Sequence, residues 1–124
     1  MKATDSKVLD SSLWLAYFLD GRYREIIEQE KTFLLSTLSL FEIKKKIIRS
    51  SFADEHKNRA IEFLKNKTLL IAVDEIIAEK AVECTINYHL GTADSIIYAT
   101  SLINKATLIT HDNDFRDLHS VEVV

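Results

Sequence analysis

Short apolar runs alternate along this chain with stretches that have the periodicity of helices. This alternation restricts the set of possible folds more than any other feature of the sequence. Five runs predict strands: Lys7–Leu9, Thr32–Ser36, Leu69–Val73, Ala106–Thr110 and, as a candidate fifth strand, Val121–Val124. Strands that alternate with helices form parallel sheets covered on both faces. The sequence therefore predicts an α/β fold with a central, mostly parallel sheet of four to five short strands and helices on both faces.

The predicted helices lie between these runs. From Thr37 to Arg49, the apolar residues Leu40, Ile43 and Ile47 recur at the spacing of one helix face. The other predicted helical segments are Leu13–Phe18, Tyr23–Glu30, Asp54–Lys65, Asp74–Tyr88, where Asp74 is the cap, and Asp94–Ile103. The run Leu69–Val73 contains no charge, which predicts a buried strand.

The length and the lack of linkers indicate one domain. A chain of 124 residues can bury roughly two-thirds of the surface that it exposes when unfolded. No proline and only two glycines occur, and no linker-like segment divides the chain. We therefore predict a single domain over residues 1–124, in which residues 1–6 are a flexible polar tail and Asp5 is not a ligand.

Charge and cysteine content exclude several classes of protein. The net charge of −3 and the pI of about 5.8 exclude a general nucleic-acid coating role, so any nucleic-acid contact is local. Cys84 is the only cysteine, which excludes an intrachain disulfide and a cysteine-based zinc site. Charged residues interrupt the first ten positions, and no apolar run approaches the roughly 20 residues of a membrane span. A cytoplasmic protein without membrane association is the expectation.

Four acidic residues fall where a predicted strand ends or a helix begins. Asp10 follows the first strand, Glu42 lies in the first turns after the second, and Asp112 follows the fourth. Asp94 opens a helical segment. In parallel sheets the carboxyl ends of the strands share one edge, where ligands collect. We therefore expect at least three of these carboxylates to meet at that edge.

Each acid also has a structural explanation. Asp10, Asp94 and Asp112 can cap the helices that follow them, and Ser39–Glu42 fits a capping box. Capping does not explain why Glu42 has apolar neighbours on both sides, or why Asp94 lies in an apolar segment. A carboxylate in such surroundings is paired, protonated or metal-bound. The set indicates a site for Mg²⁺ or Mn²⁺, which prefer oxygen ligands and support phosphodiester hydrolysis.

Four segments around these acids resemble the signature blocks of PIN domains, with the closest likeness to VapC-type toxins of toxin–antitoxin pairs. The segments are Val8–Ser12, Leu38–Glu42, Thr92–Thr100 and Leu108–Phe115. Each block alone is weak, but four in this order are specific and span nearly the whole chain. The resemblance implies a Mg²⁺- or Mn²⁺-dependent endoribonuclease that is usually a homodimer and is silenced by a cognate VapB-type antitoxin.

The resemblance also implies roles for single residues. The positions that match the metal-binding acids are Asp10, Glu42, Asp94 and Asp112, with Asp114 as the alternative fourth ligand. Asp112 is preferred because it lies nearer the strand end. Thr110 and Ser11 match hydroxyl positions beside the site.

Basic residues that follow Glu42 are candidates for contact with the RNA backbone. Lys45, Lys46 and Arg49 come three, four and seven positions after it and therefore project from the same helix face. The alternative is a surface ion pair between Glu42 and Lys46, worth a few tenths of a kcal/mol.

Other conspicuous residues receive no catalytic role. We interpret His111 as an exposed loop histidine, and Trp14 and Phe18 as residues of the core or of a dimer interface. The helical segments Leu13–Phe18 and Ala53–Leu64 are candidate surfaces for a dimer or another partner.

Two other functions compete with this interpretation. A phosphoacceptor receiver domain has an acidic pair after its first strand, whereas Asp10 stands alone and Val73 leads into a helix cap. A catalytically silent PIN-like module that binds RNA or protein is the second alternative, and the presence of all four acids argues against it.

Overall fold

The structure is a computed structural model that describes residues 6–124. The strands are β1 (Lys7–Leu9), β2 (Phe33–Ser36), β3 (Thr68–Ile71), β4 (Thr107–Thr110) and β5 (Val121–Val123). The helices are α1 (Ser11–Asp20), α2 (Arg24–Ile27), α3 (Thr37–Arg49), α4 (Asp54–Lys67), α5 (Glu75–Tyr88), α6 (Thr92–Ile103) and a 3₁₀ helix (Asn113–Phe115). The predicted alternation of strands and helices is confirmed.

The five strands form one parallel sheet in the order β3-β2-β1-β4-β5. β1 lies at the centre, where Val8 pairs with Leu34 of β2 on one side and with Leu108 of β4 on the other. The chain first builds the sheet outward from β1 through β2 and β3, and then continues on the opposite side with β4 and β5. Such a reversal of strand order leaves a crevice at the carboxyl ends of the strands.

Each face of the sheet has its own core, because successive side chains of a strand point to opposite faces. Val8 packs in a core with residues of α5 and α6, including Cys84. Leu9 packs in a second core with residues of α1, α3 and α4, including Trp14. Cys84 and Trp14 are completely buried. The prediction of helices on both faces is therefore confirmed.

The prediction that Leu69–Val73 is a buried strand is wrong. β3 ends at Ile71, and 58% of Leu69 and 43% of Leu70 are exposed. β3 pairs with β2 alone and forms an edge of the sheet. An uncharged apolar run predicts a strand, but its place in the sheet depends on pairing between distant segments.

One predicted helix cap is confirmed by the structure, and another is wrong. Asp74 caps α5 as predicted, since its carboxylate accepts a hydrogen bond from the Ile77 N–H at 2.9 Å. α3 begins directly after β2, and the Ser36 hydroxyl caps it by accepting from the Leu38 N–H at 3.2 Å. The alternative of a capping box at Ser39–Glu42 is therefore wrong, because the helix has already begun at Thr37.

The predicted N-terminal tail falls on residues 1–6, of which residues 1–5 lie outside the described part of the chain. Ser6 is described, and its carbonyl accepts a hydrogen bond from the Thr107 N–H at 2.9 Å. Among the described helices, none combines the length and the apolar character needed to cross a membrane.

Candidate metal centre

Asp10 extends the central strand into the crevice. Its N–H donates to the Ile109 carbonyl at 3.0 Å, which continues the pairing of β1 with β4 by one residue. Asp10 occupies the N-cap position of α1, but its side chain makes no capping hydrogen bond. Its Oδ2 accepts instead from the Thr110 hydroxyl at 3.0 Å. The capping explanation therefore fails for Asp10, which is only 8% exposed.

Thr110 connects the ends of the two central strands. Its side chain is completely buried, and its hydroxyl donates to Asp10 while accepting from the Asp112 N–H at 3.0 Å. Asp112 Oδ1 accepts from the Asp114 N–H at 2.9 Å and caps the 3₁₀ helix. One oxygen of Asp112 thus caps, as the structural explanation predicts. Its second oxygen has no hydrogen bond within the described chain.

Asp94 belongs to α6, which packs on the face of the sheet opposite to α1 and α3. It lies in the first turn of α6 and does not occupy the N-cap position of that helix. Carboxylate oxygens of Asp94, Asp112 and Asp114 all lie within 4.8 Å of one another. Burial, as the largest cause, and the negative charges of Asp10, Asp112, Asp114 and Glu42 together raise the pKa of Asp94 to about 6. All the other predicted acids therefore lie near enough to Asp94 to raise its pKa.

Glu42 lies behind this cluster, on α3. Its Oε1 accepts a hydrogen bond from the Ser11 hydroxyl at 3.2 Å, which joins the start of α1 to the second turn of α3. The alternative of an ion pair with Lys46 is wrong, since neither residue belongs to an ion pair in the described part of the chain. Glu42 is half-buried and contributes to the raised pKa of Asp94.

A cleft of about 530 Å³, which we call the acidic cleft, opens over the strand ends. Its lining residues are Asp10, Ser11, Ser12, Asp94, His111, Asp112 and Asn113. This lining includes no lysine or arginine among the described residues. Two carboxylates about 5 Å apart repel each other by roughly 3 kcal/mol at an effective dielectric constant of about 20. Carboxylate oxygens that lack a neutralising side chain fit a hard divalent cation such as Mg²⁺ or Mn²⁺.

The predicted basic contacts lie outside this cleft. Lys45, Lys46 and Arg49 are exposed on α3, and none of them lines the acidic cleft. The ammonium nitrogen of Lys45 lies 5.1 Å from the centroid of the Phe41 ring. The RNA-backbone role of these residues stays a prediction, as does the choice of fourth ligand, because both Asp112 and Asp114 belong to the acid cluster.

Two features of the site have no signal in the local sequence. The Ser12 hydroxyl is buried at the acidic cleft and has no hydrogen-bond partner among the described residues. The Tyr23 hydroxyl lies 3.1 Å from His111 Nδ1, although 88 positions separate the two residues. His111 is exposed, as predicted, but its contact with Tyr23 arises only when the sheet brings their loops together.

A second concave region, which we call the aromatic groove, lies between α1 and α4 and measures about 420 Å³. Its lining residues are Tyr17, Phe18, Gly21, Arg24, Glu28, His56, Arg59, Ala60 and Phe63. The rings of Tyr17 and Phe63 stack with their centroids 5.7 Å apart. The groove is formed by parts of both helical segments that the sequence marks as candidate partner surfaces.

Solved structures with a similar fold include chains of toxin–antitoxin assemblies. A chain of the toxin–antitoxin complex from Klebsiella pneumoniae matches with a TM-score of 0.83 and 21% identity, over 95% of this chain and 97% of that chain. A chain of VapBC-1 from nontypeable Haemophilus influenzae gives 0.72 and 22%, over 94% and 96%. VapC20 from Mycobacterium tuberculosis, a sarcin-ricin loop cleaving toxin, gives 0.70 and 18%, over 95% and 98%. No curated protein matches the chain significantly.

The sequence also matches a family model directly. The model of the PIN domain covers residues 7–120, from the first residue of β1 to the residue before β5. This span contains the four segments that resemble the PIN signature blocks, so that resemblance is confirmed. The chain belongs to the PIN domain family.

Proposed function

We propose that this protein is a Mg²⁺- or Mn²⁺-dependent endoribonuclease, the toxin of a VapBC-type pair that acts in the cytoplasm. The observation that carries the proposal is the acid cluster, in which Asp94, Asp112 and Asp114 lie within 4.8 Å of one another beside Asp10. Membership of the PIN family and the fold shared with VapBC chains support it. RNA as the substrate is supported by the similar fold of VapC20, a sarcin-ricin loop cleaving toxin.

The proposed ligands are carboxylates from separate elements: Asp10, Glu42, Asp94 and Asp112, with Asp114 as the alternative to Asp112. A bound divalent cation supplies a positive charge that polarises the phosphate and lowers the pKa of water during phosphodiester hydrolysis. The chain itself fixes the carboxylates in advance. Thr110 holds Asp10 through its hydroxyl, and Ser11 does the same for Glu42.

Asp94 links cation binding to pH in this proposal. Its pKa of about 6 means that part of the population is protonated just below neutral pH when the site is empty of cations. A carboxylate must be deprotonated to bind a metal ion. Asp94 therefore loses its remaining proton as the cation binds, and cation affinity is expected to rise from pH 5 to pH 7.

The test is RNA cleavage by the purified protein in the presence of Mn²⁺. We expect Asp10→Asn and Asp94→Asn each to lower the rate at least about a hundredfold, because each removes a charge from the proposed cation site. Glu62→Gln, an exposed acid on α4, is the matched control and should leave the rate unchanged. Absence of cleavage, together with absence of Mn²⁺ binding in calorimetry, would favour the silent PIN-like module instead.

The proposed RNA track consists of Lys45, Lys46 and Arg49 on α3. These exposed cations follow Glu42 along its helix and are not engaged in ion pairs of the described chain. A phosphate backbone that reaches the acidic cleft needs positive charge along its approach, because the cleft itself is negative. The track supplies this charge on a protein with a net charge of −3.

The proposed partner is a cognate VapB-type antitoxin, and we place it on the aromatic groove. The groove has an apolar floor that includes Phe18 and Phe63, and Arg24 and Arg59 among its polar residues. This combination fits a helix or extended segment that carries apolar and acidic side chains. Chains of similar fold occur in toxin–antitoxin and VapBC assemblies, which supports a partner of this kind.

A second copy of the chain is the proposed occupant of the α5 surface. Val82 and Ile86 are 60% and 67% exposed there, among the acids Glu79 and Glu83. The side of α3 that carries Phe41, Lys44 and the exposed Ile48 has the opposite charge, and it differs from the side that carries Lys46 and Arg49 of the RNA track. The two helix faces are therefore complementary in charge and share apolar character, which suits a twofold contact between α3 and α5.

The dimer is tested by light scattering after gel filtration. Ile86→Glu should convert the dimer to a monomer, because it places a charge in the apolar contact. Leu19→Glu, at an exposed leucine of α1, is the control and should stay dimeric. A wild-type protein that is monomeric at micromolar concentration would contradict the proposed dimer.

A further inference from the structure

Tyr23 holds a backbone conformation that bulky residues seldom adopt. Its φ is 60°, in the left-handed region, and it occupies the N-cap position of α2 without capping that helix by its side chain. Gly21, two positions earlier, ends α1 in the same region with a φ of 68°. Backbone strain that a fold maintains is often associated with function. In this conformation the Tyr23 side chain lies against His111.

Tyr23 is the middle member of a chain of contacts that ends at the acidic cleft. The guanidinium of Arg22 donates through Nη2 to the Tyr23 hydroxyl at 3.1 Å, and its carbon lies 4.9 Å from the ring centroid. The Tyr23 hydroxyl lies 3.1 Å from His111 Nδ1, and the two ring centroids are 6.1 Å apart. His111 lines the acidic cleft. An exposed arginine and two rings therefore stand at the edge of a cleft whose described lining contains no lysine or arginine.

The chemistry of these side chains suits one class of ligand. Unpaired RNA bases stack on aromatic rings and on arginine guanidinium planes, and phosphates are bound by arginine. Arg22 is exposed and forms no ion pair within the described chain, so its charge is available to a ligand. With Arg22 donating to the Tyr23 hydroxyl, the phenolic proton can be donated to His111 Nδ1. This arrangement leaves the His111 Nε2–H as a further donor.

We infer that Arg22, Tyr23 and His111, named here the nucleotide rim, bind one unpaired nucleotide of an RNA strand beside the acidic cleft. Arg22 contacts a backbone phosphate, and the rings of Tyr23 and His111 provide the surface for a base. The inference rests on the proposed ribonuclease function for its choice of RNA as ligand. The rim lies beside the cleft on the loops before α2 and after β4, whereas the proposed RNA track lies on α3.

The test measures binding and cleavage separately. Binding of a fluorescently labelled single-stranded RNA of 12 nucleotides is followed by anisotropy in EDTA, with the same sequence as a duplex for comparison. Arg22→Ala should weaken binding about fivefold to tenfold and lower the salt slope by about 0.7, the value for one phosphate contact. Tyr23→Asn should weaken single-strand binding to a similar extent and leave duplex binding within twofold, because a paired base cannot stack on the rim.

The controls separate loss of contact from loss of structure. Asparagine tolerates the left-handed region, so Tyr23→Asn should keep the backbone conformation, and thermal unfolding checks that it does. Lys65→Ala, an exposed cation on α4, should leave RNA binding unchanged. In cleavage assays with Mn²⁺, Arg22→Ala should raise KM about fivefold to tenfold and change kcat less than twofold.

The outcomes distinguish the inference from the proposed function. If the wild-type protein cleaves RNA while Arg22→Ala and Tyr23→Asn bind and cleave as well as the wild type, the nucleotide rim is wrong and the ribonuclease proposal stands. If the wild-type protein does not cleave RNA but binds single strands in a way that depends on Arg22 and Tyr23, the rim is supported and the ribonuclease proposal is contradicted. Failure of the wild-type protein to bind single-stranded RNA overturns the rim.

Discussion

The acidic cleft and the aromatic groove shift the pKa of a carboxylate in opposite directions. In the groove, Glu28 accepts hydrogen bonds from the Tyr17 hydroxyl at 2.7 Å and from Arg24 Nε at 3.3 Å. These partners, Tyr17 first, lower the pKa of Glu28, while burial and the contact with Glu28 raise the pKa of Tyr17 to about 12. In the cleft, burial and neighbouring acids raise the pKa of Asp94 to about 6. The groove neutralises its acid internally, whereas the cleft does not.

This difference indicates what each region is built to bind. A surface whose lining carboxylate is already paired offers apolar contact area, and Arg59 forms no ion pair within the described chain, which suits a polypeptide with apolar and acidic side chains. A cluster of unpaired carboxylates gains most from a ligand that brings positive charge. The two concave regions therefore predict separable functions, with cation and substrate at one and a protein partner at the other. Variants that affect one region and spare the other test this separation.

The largest expected effect concerns the aromatic groove. Phe63→Glu places a charge against the apolar floor and should weaken binding of the protein encoded by the neighbouring reading frame by about thirtyfold or more, equivalent to about 2 kcal/mol. RNA cleavage should stay within twofold, since Phe63 does not line the acidic cleft. Isothermal titration calorimetry measures the first effect. Unchanged affinity for that partner, with the variant correctly folded, would place the partner elsewhere.

A smaller effect is expected along the RNA track. Replacing Lys45, Lys46 and Arg49 by alanine removes three proposed phosphate contacts and should lower the slope of log K against log salt by about 2. At 0.3 M salt this corresponds to a loss of affinity of about tenfold. The control is the double variant Lys65→Ala and Lys105→Ala, at exposed cations outside the cleft. An RNA affinity and a salt slope equal to those of the wild type would refute the track.

The smallest expected effect is a gain in stability. The pKa of Asp94 in the folded protein lies above its usual value of 3.8, so the folded state holds this proton more tightly than the unfolded state does. Without cations, stability therefore falls as the pH rises from about 4 to 6, and the deficit persists above pH 6. Because Asp94 is only half-buried, the deficit is about 1 kcal/mol after allowance for solvent screening, less than the full shift implies.

Asp94→Asn removes that deficit. In EDTA at pH 7.5 the variant should be more stable than the wild type by about 1 kcal/mol, and at pH 4 the difference should vanish. Urea unfolding at the two pH values measures both differences. Addition of Mg²⁺ should reverse the order at pH 7.5, since the wild type then gains the cation as a ligand. A variant that is destabilised equally at both pH values would show that Asp94 serves packing rather than a cation site.

The sequence predicts this fold well where local signals suffice. The sequence predicts Asp10 and Asp112 after the first and fourth strands, and they follow β1 and β4, which pair at the centre of the sheet. The expectation succeeds because an uncharged run and the polar residues after it mark a strand end locally. The parallel arrangement then fixes which ends meet, without knowledge of any side-chain contact.

The features that the sequence does not predict depend on contacts between segments that lie far apart along the chain. Leu69 has the composition of a buried strand residue, yet its exposure follows from the place of β3 at the edge of the sheet. Tyr23 and His111 lie next to different elements and meet because the sheet brings their loops together. The α2 helix, Arg24–Ile27, is shorter than the predicted Tyr23–Glu30: Tyr23 adopts the left-handed region and precedes the helix, and Glu28 is already its C-cap. No local periodicity contains this information.

The direct junction of β2 with α3 restricts how the length of this chain can vary. Ser36 is both the last residue of the strand and the cap of the helix, so no loop residue separates the two elements. One residue inserted at that junction would rotate α3 by about 100° relative to the strand and carry Glu42 away from Ser11. Insertions and deletions that preserve the acid set must therefore fall elsewhere, as in the connection between α3 and α4, and the spacing from Ser36 to Glu42 should be invariant among functional variants.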